Sequence, residues 1–212
     1  MVVRRVRGVR MVLLAVAIAV IGIIVWSTRT AALPFYGSAD FTPHWSSVSH
    51  RVGDFSLTDQ RGRAFTNADV AGRVYVASFI FTRCSVVCPV LVKHLATVEA
   101  ATRDTGALIV SFSVTPDLDT PSVLETFGRD RGINADRWKL LTGNMEQIFA
   151  LARERYFADD ERVQATKTDP NAFLHTEKLV LVDQQGRLRG VYDGTMPRDV
   201  ELLISDMKAL TK

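Results

Sequence analysis

Hydrophobic positions along this chain repeat with three different spacings, each predicting a different element. The run from Met11 to Trp26, MVLLAVAIAVIGIIVW, is apolar throughout and carries no charge. Sixteen residues of helix reach about 24 Å, just short of the typical hydrocarbon thickness, with Trp26 placed as an interfacial anchor. Two shorter stretches, RVYVASFIFT (73–82) and GALIVSFSVT (106–115), are apolar at nearly every position, the signature of strands covered on both faces. Helical spacing begins at Pro89, with Leu91, Leu95, Val98 and Thr102 on one side. TPSVLETFGRDRG (120–132) reads as a helix with Thr120 as N-cap, Pro121 at the first position and Gly132 near the end. NMEQIFALARERYF (144–157) reads as another helix and MPRDVELLISDMKAL (196–210) as an amphipathic helix closing the chain. DFSLTDQRGRAFT (54–66) predicts two short strands about Gly62, and EKLVLVDQQGRLRGVYDG (177–194) a hairpin turning at Gln185 and Gly186. Strands and helices alternating around buried central strands predict an α/β sandwich.

Charge sets the expected topology. Arg4, Arg5, Arg7 and Arg10 precede the apolar run without an acid, which orients the N-terminus to the cytoplasm and exports the chain beyond Trp26. STRTAALPFYG offers only a weak small-residue cleavage site, so the run reads as an uncleaved anchor. Ten residues leave no room for a mitochondrial presequence, and a bacterial inner-membrane protein with a periplasmic domain is expected. The predicted organisation is a basic arm (1–10), a transmembrane anchor (11–27), a polar linker (28–49) and one domain (50–212) long enough for a core of its own. Of 26 basic residues four sit in the arm, and the remaining 22 face 23 acids. That near-neutral balance gives nucleic-acid binding no support.

Candidate chemistry centres on FTRCSVVCPV (81–90), which holds the chain's two cysteines, Cys84 and Cys88. They fall where a buried strand hands over to a helix, with Cys88 predicted as N-cap and Pro89 in first position. Helix amides and neighbouring Arg83 are expected to make both thiols more acidic than a free cysteine. Three intervening residues allow the sulfurs to bond to each other or to share one soft metal ion. A purely structural staple is the weaker alternative, because so short a loop restricts the unfolded chain little. Two thiolates alone are too few for a metal. His94, six residues past Cys88, turns away from the cysteines and reads as a surface or packing residue. His44 and His50 fall in the polar linker and read as solvated. His175, in DPNAFLHTEKLVLV (169–182), lies in a loop leading into a strand, a place that can adjoin the cysteine loop.

The stretches FTRCSVVCPV, SFSVTPDLDTPSVLETF, RWKLLTGNMEQIFALA and HTEKLVLVDQQGRL, in that order across residues 50–210, resemble the Sco (SenC) family. Its members are membrane-anchored, thioredoxin-like, peroxiredoxin-related proteins that bind copper and help build the binuclear copper (CuA) centre of cytochrome c oxidase. The resemblance implies Cys84, Cys88 and His175 as copper ligands. Two sulfurs and an imidazole suit Cu(I), and Cu(II) would accept the same set with a further weak ligand. It implies cytochrome c oxidase subunit II, or another copper protein, as partner; the copper donor stays open.

Two departures stand out. Where the family commonly carries proline and an acid after the first cysteine, this chain has Ser85, Val86 and Val87. Where it often reads Asp-Pro after the middle strand, this chain has Thr115 and Pro116. The lost charge is expected to weaken Cu(II) more than Cu(I). Asp117 and Asp119 nearby read as turn and cap residues. Three functional readings result. The first is a copper chaperone. The second is a thiol-disulfide oxidoreductase that reduces the cysteines of the same target, needing Cys84 and Cys88 but not His175. The third is a redox or copper sensor. Peroxidase activity has no environment singling out one cysteine.

Overall fold

The computed structural model describes residues 33–84, 87–158 and 176–212. The predicted arm (1–10) and anchor (11–27) lie outside them, as does His175. Among the described residues no helix is long and apolar enough to cross a membrane. Residues 34–212 form one compact unit.

Among the described residues seven strands make a single sheet in the order β2-β1-β5-β4-β3-β6-β7. They are β1 (Ser56–Asp59), β2 (Ala64–Thr66), β3 (Tyr75–Ile80), β4 (Leu108–Ser113), β5 (Trp138–Thr142), β6 (Lys178–Val182) and β7 (Leu188–Asp193). The central three, β5, β4 and β3, run parallel, and hairpins close both edges antiparallel. Both predicted all-apolar runs are central strands, buried at every position. The strand β5 was not anticipated, because Lys139 interrupts its short run. Lys139 is accommodated by sending Nζ to the Ala135 carbonyl at 2.6 Å.

The helices are α1 (Asn67–Val70), α2 (Val87–Ala101), α3 (Pro121–Asp130), α4 (Met145–Ala150, continued by a π turn over Leu151–Arg155) and α5 (Pro197–Leu210). Side chains alternate across each strand, so the sheet buries two separate layers. On one face Phe79 and Phe112, paired in register, stack with centroids 5.2 Å apart, and Tyr156 from the end of the π turn closes over both. Tyr156 and Tyr75 share a buried hydroxyl contact of 2.9 Å. On the other face Ser78 and Ser111 bond at 2.7 Å and Trp138 Nε1 donates to Ser111, giving the small hydroxyls partners beneath the helices. Leu91, Leu95 and Val98 of α2, as the spacing predicted, are fully buried.

Residues 34–50 lie against this domain. Phe35 and His44 exchange backbone bonds, and the Tyr36 amide donates to the Leu188 carbonyl on β7. The predicted hairpin turn between β6 and β7 is made by Gly186, whose φ of 72° an L side chain resists.

Candidate metal and redox site

The β3–β4 register ends at Ile80 and Ser113, and beyond it β3 turns sharply, with the Cys84 amide donating to the Phe81 carbonyl at 3.3 Å. Arg83 is exposed, Cys84 half-buried and Cys88 buried. Both cysteines are present as thiols.

The helix places the sulfurs differently from the sequence expectation. Helix α2 begins at Val87, so Cys88 is inside its first turn and is not the N-cap. The amide of that turn is instead satisfied by the other cysteine: the Cys88 N–H donates to Cys84 Sγ at 3.3 Å. The helix-end amide therefore faces Cys84 Sγ. The expectation of two acidified thiols fails at Cys88. Burial pushes its thiol up to about 12; a backbone hydrogen bond with Phe81 opposes this, while Cys84 and the charge of Asp119 add to it. A half-buried cysteine whose sulfur faces a helix-end amide and a buried neutral thiol in the helix's first turn make an asymmetric pair.

Asp119 is the residue the sequence undersold. It is 0% exposed, and its carboxylate accepts from the Thr82 amide (3.1 Å), the Thr82 hydroxyl (2.5 Å), Ser113 Oγ (2.7 Å) and Thr115 Oγ1 (3.0 Å). Thr115, at the position where an acid was expected, thus serves as a donor to an acid four residues on. A negative charge remains beside Cys88 despite the substitution. The sequence does not mark Asp119, because half of its four hydrogen bonds come from Thr82, 37 residues away at the end of another strand.

The histidines separate clearly. His94 Nδ1–H donates to the Gly194 carbonyl at 2.8 Å and packs α2 onto the turn after β7. His44 is exposed. His50 departs from its solvated reading: Nε2–H donates to the Arg155 carbonyl at 2.8 Å, and the ring lies 4.7 Å from that of Phe157. Among the described residues no group of three or more His, Cys, Asp or Glu side chains could hold a metal. The two sulfurs are a soft donor pair that fits Cu(I), with no third ligand among the described residues.

A parallel sheet core with hairpin edges, and a CxxxC dithiol where β3 meets α2, define a thioredoxin-like domain with a strand-to-helix thiol site. The SCO1/SenC family model matches residues 45–212, and the chain belongs to that family. The chain is similar to a SCO1/SenC family lipoprotein from Bacillus anthracis, at 31% identity and a TM-score of 0.69, covering 78% of this chain and 97% of that one. It is also similar to BsSco, described as having a disulfide switch and as a member of the Sco family of cytochrome c oxidase assembly proteins; identity is 25%, TM-score 0.66, with 78% and 96% covered. Copper-bound structures exist among Sco proteins. One, ScoI of Bradyrhizobium japonicum, shares this fold at 23% identity and a TM-score of 0.59, covering 76% of this chain and 99% of that one.

Proposed function

We propose that this chain is a copper chaperone that holds Cu(I) through Cys84, Cys88 and His175 and passes it to the CuA site of cytochrome c oxidase subunit II. The observation carrying this reading is the asymmetric dithiol, with Cys84 a half-buried residue at the helix end and Cys88 buried inside the helix's first turn. One sulfur is within reach of a partner's ligands while the other is sheltered, which suits stepwise ligand exchange. His175, two residues ahead of Glu177, is the third ligand in this reading. An inner-membrane anchor over 11–27 would keep the domain beside a membrane-bound target.

The asymmetry also favours a second reading, a thiol-disulfide reductase in which Cys84 attacks a target disulfide and Cys88 resolves the mixed disulfide. The two separate on anaerobic Cu(I) titration of reduced protein beside the His175→Ala variant. The chaperone reading expects one copper per chain and an affinity loss of about tenfold or more in the variant. Copper binding indifferent to His175, with oxidase assembly intact in that variant, would favour the reductase.

A further inference from the structure

The turn that presents Cys84 lies beyond the end of the strand ladder. Pairing between β3 and β4 ends with Ile80 opposite Ser113 and the Val114 amide on the Ile80 carbonyl. Thr82 is the next polar residue, and both its amide and its hydroxyl go to Asp119. Asp119 is in turn fixed by Ser113 and Thr115 at the end of β4, and the following residue, Thr120, caps α3 through the Val123 amide at 3.4 Å. Hydrogen bonds to an ionised carboxylate are roughly twice as strong as neutral ones, more so away from water. The position of Cys84 is therefore set two residues upstream by bonds to the loop between β4 and α3.

We propose that Thr82 and Asp119 form a positioning latch for the dithiol: the latch fixes the turn so that Cys84 Sγ stays on the Cys88 amide and the two sulfurs are presented together. The inference rests on the copper reading for its consequence on metal affinity, but its effect on the cysteine pair does not depend on copper. Asp119 touches neither the metal nor the target in this account. It acts through Thr82, and so do the hydroxyls of Ser113 and Thr115, which hold the carboxylate in place. The arrangement assigns a role to an acid that by sequence looked like an ordinary turn residue.

The test compares full-length wild type, Thr82→Val, Thr82→Ser and Asp119→Asn on three measurements: Cu(I) affinity by chelator competition, the dithiol–disulfide equilibrium constant against glutathione, and melting temperature. Val keeps the shape and loses the hydroxyl; Ser restores it. The latch expects Thr82→Val to bind Cu(I) about ten- to hundredfold more weakly. It also expects disulfide formation to become less favourable by several-fold, because the sulfurs are no longer held together. Thr82→Ser should recover both, and Asp119→Asn should move both in the same direction as Val. A Val variant with lowered melting temperature but wild-type affinity and disulfide equilibrium overturns the latch and leaves the network a fold stabiliser. If wild type binds no copper the chaperone reading fails, and the disulfide equilibrium alone still decides the latch.

Discussion

The Cys88 amide donates to Cys84 Sγ at 3.3 Å, so the two cysteines of this CxxxC motif are not equivalent: one receives the helix end, the other is buried inside it. Cys88 is 7% exposed and its thiol is pushed up to about 12, first by burial. At pH 7 its thiolate is then only on the order of one part in 10⁵. Alkylation of the reduced protein at neutral pH is expected to modify Cys84 alone. In Cys84→Ser, reaction at Cys88 should be slow and rise about tenfold per pH unit without a plateau up to about pH 10. Mass mapping after timed iodoacetamide treatment measures both. Equal labelling of the two sulfurs at neutral pH would show that the asymmetry is wrong.

Gly194 ties the far end of the molecule's C-terminal hairpin to the site. Its amide donates to the Glu177 carbonyl at 2.8 Å, and a Cβ there would overlap Leu91 Cδ1 and sit 2.9 Å from the Glu177 carbonyl. Leu91 is three residues past Cys88 on α2, and Glu177 is two past His175. Gly194→Ala is expected to cost about 1–3 kcal/mol through overpacking. That lowers the melting temperature by roughly 2–12 °C for a domain of this size. Because the clash falls on α2, weakened Cu(I) binding should accompany it. An unchanged melting temperature would mean Leu91 yields freely.

How far the sequence was legible depends on where each signal resides. The buried strands β3 and β4 are visible because parallel central strands have two apolar faces, and Thr120 with Pro121 marks the start of α3 by local chemistry alone. The strand β5 is invisible by the same rule: a short run interrupted by Lys139 becomes a strand only by pairing with β4 and β1. Pro89 misplaced the helix start by two residues, since proline is tolerated throughout a first turn whose amides lack intrahelical partners. The cysteines were legible as a motif, but their inequality was not. It depends on which sulfur the Cys88 amide meets, and on a carboxylate at residue 119 that reaches Thr82 across two strand ends.

Acid stability offers a separate check on the β1–β2 hairpin. Asp59 is 2% exposed; burial opposes its charge, but hydrogen bonds from Arg63 and from the Arg61 and Arg63 amides prevail and hold its carboxyl below the ordinary value. A depressed folded-state value stabilises the fold fully above the unfolded value of about 3.9, and the contribution is lost as pH falls through the folded value. Asp59→Asn is expected to lower stability at pH 7 by about 1–3 kcal/mol. The gap from wild type should close as pH drops below about 4. Urea midpoints of both proteins at pH 7 and at acid pH measure the closure, and a gap constant with pH would remove Asp59 from the account.

Residues 34–44, ahead of the family match that begins at residue 45, are predicted to be part of the folding unit. Arg189, only 8% exposed at its side chain, bonds Asp183 at 3.1 Å and donates from Nε to the Pro34 carbonyl at 3.1 Å. Its guanidinium stands 4.0 Å from the Phe35 ring centroid, with that of Arg187 at 4.7 Å. Further along, Phe41 meets Phe157 edge-on at 6.3 Å, and Lys178 Nζ lies 5.1 Å from the Phe41 ring. A chain starting at residue 45 would uncover Arg189 and remove a hydrogen-bond acceptor, an aromatic face and an edge contact at once. It is expected to be less stable than one starting at residue 34 by about 2–4 kcal/mol, with Phe35→Ala alone accounting for about 1–2 kcal/mol. Chemical denaturation of the three proteins decides this. Equal stability of the two shortened chains would return residues 34–44 to the role of a passive tether, whereas the expected loss makes them a clasp that fixes where the polypeptide leaves the domain.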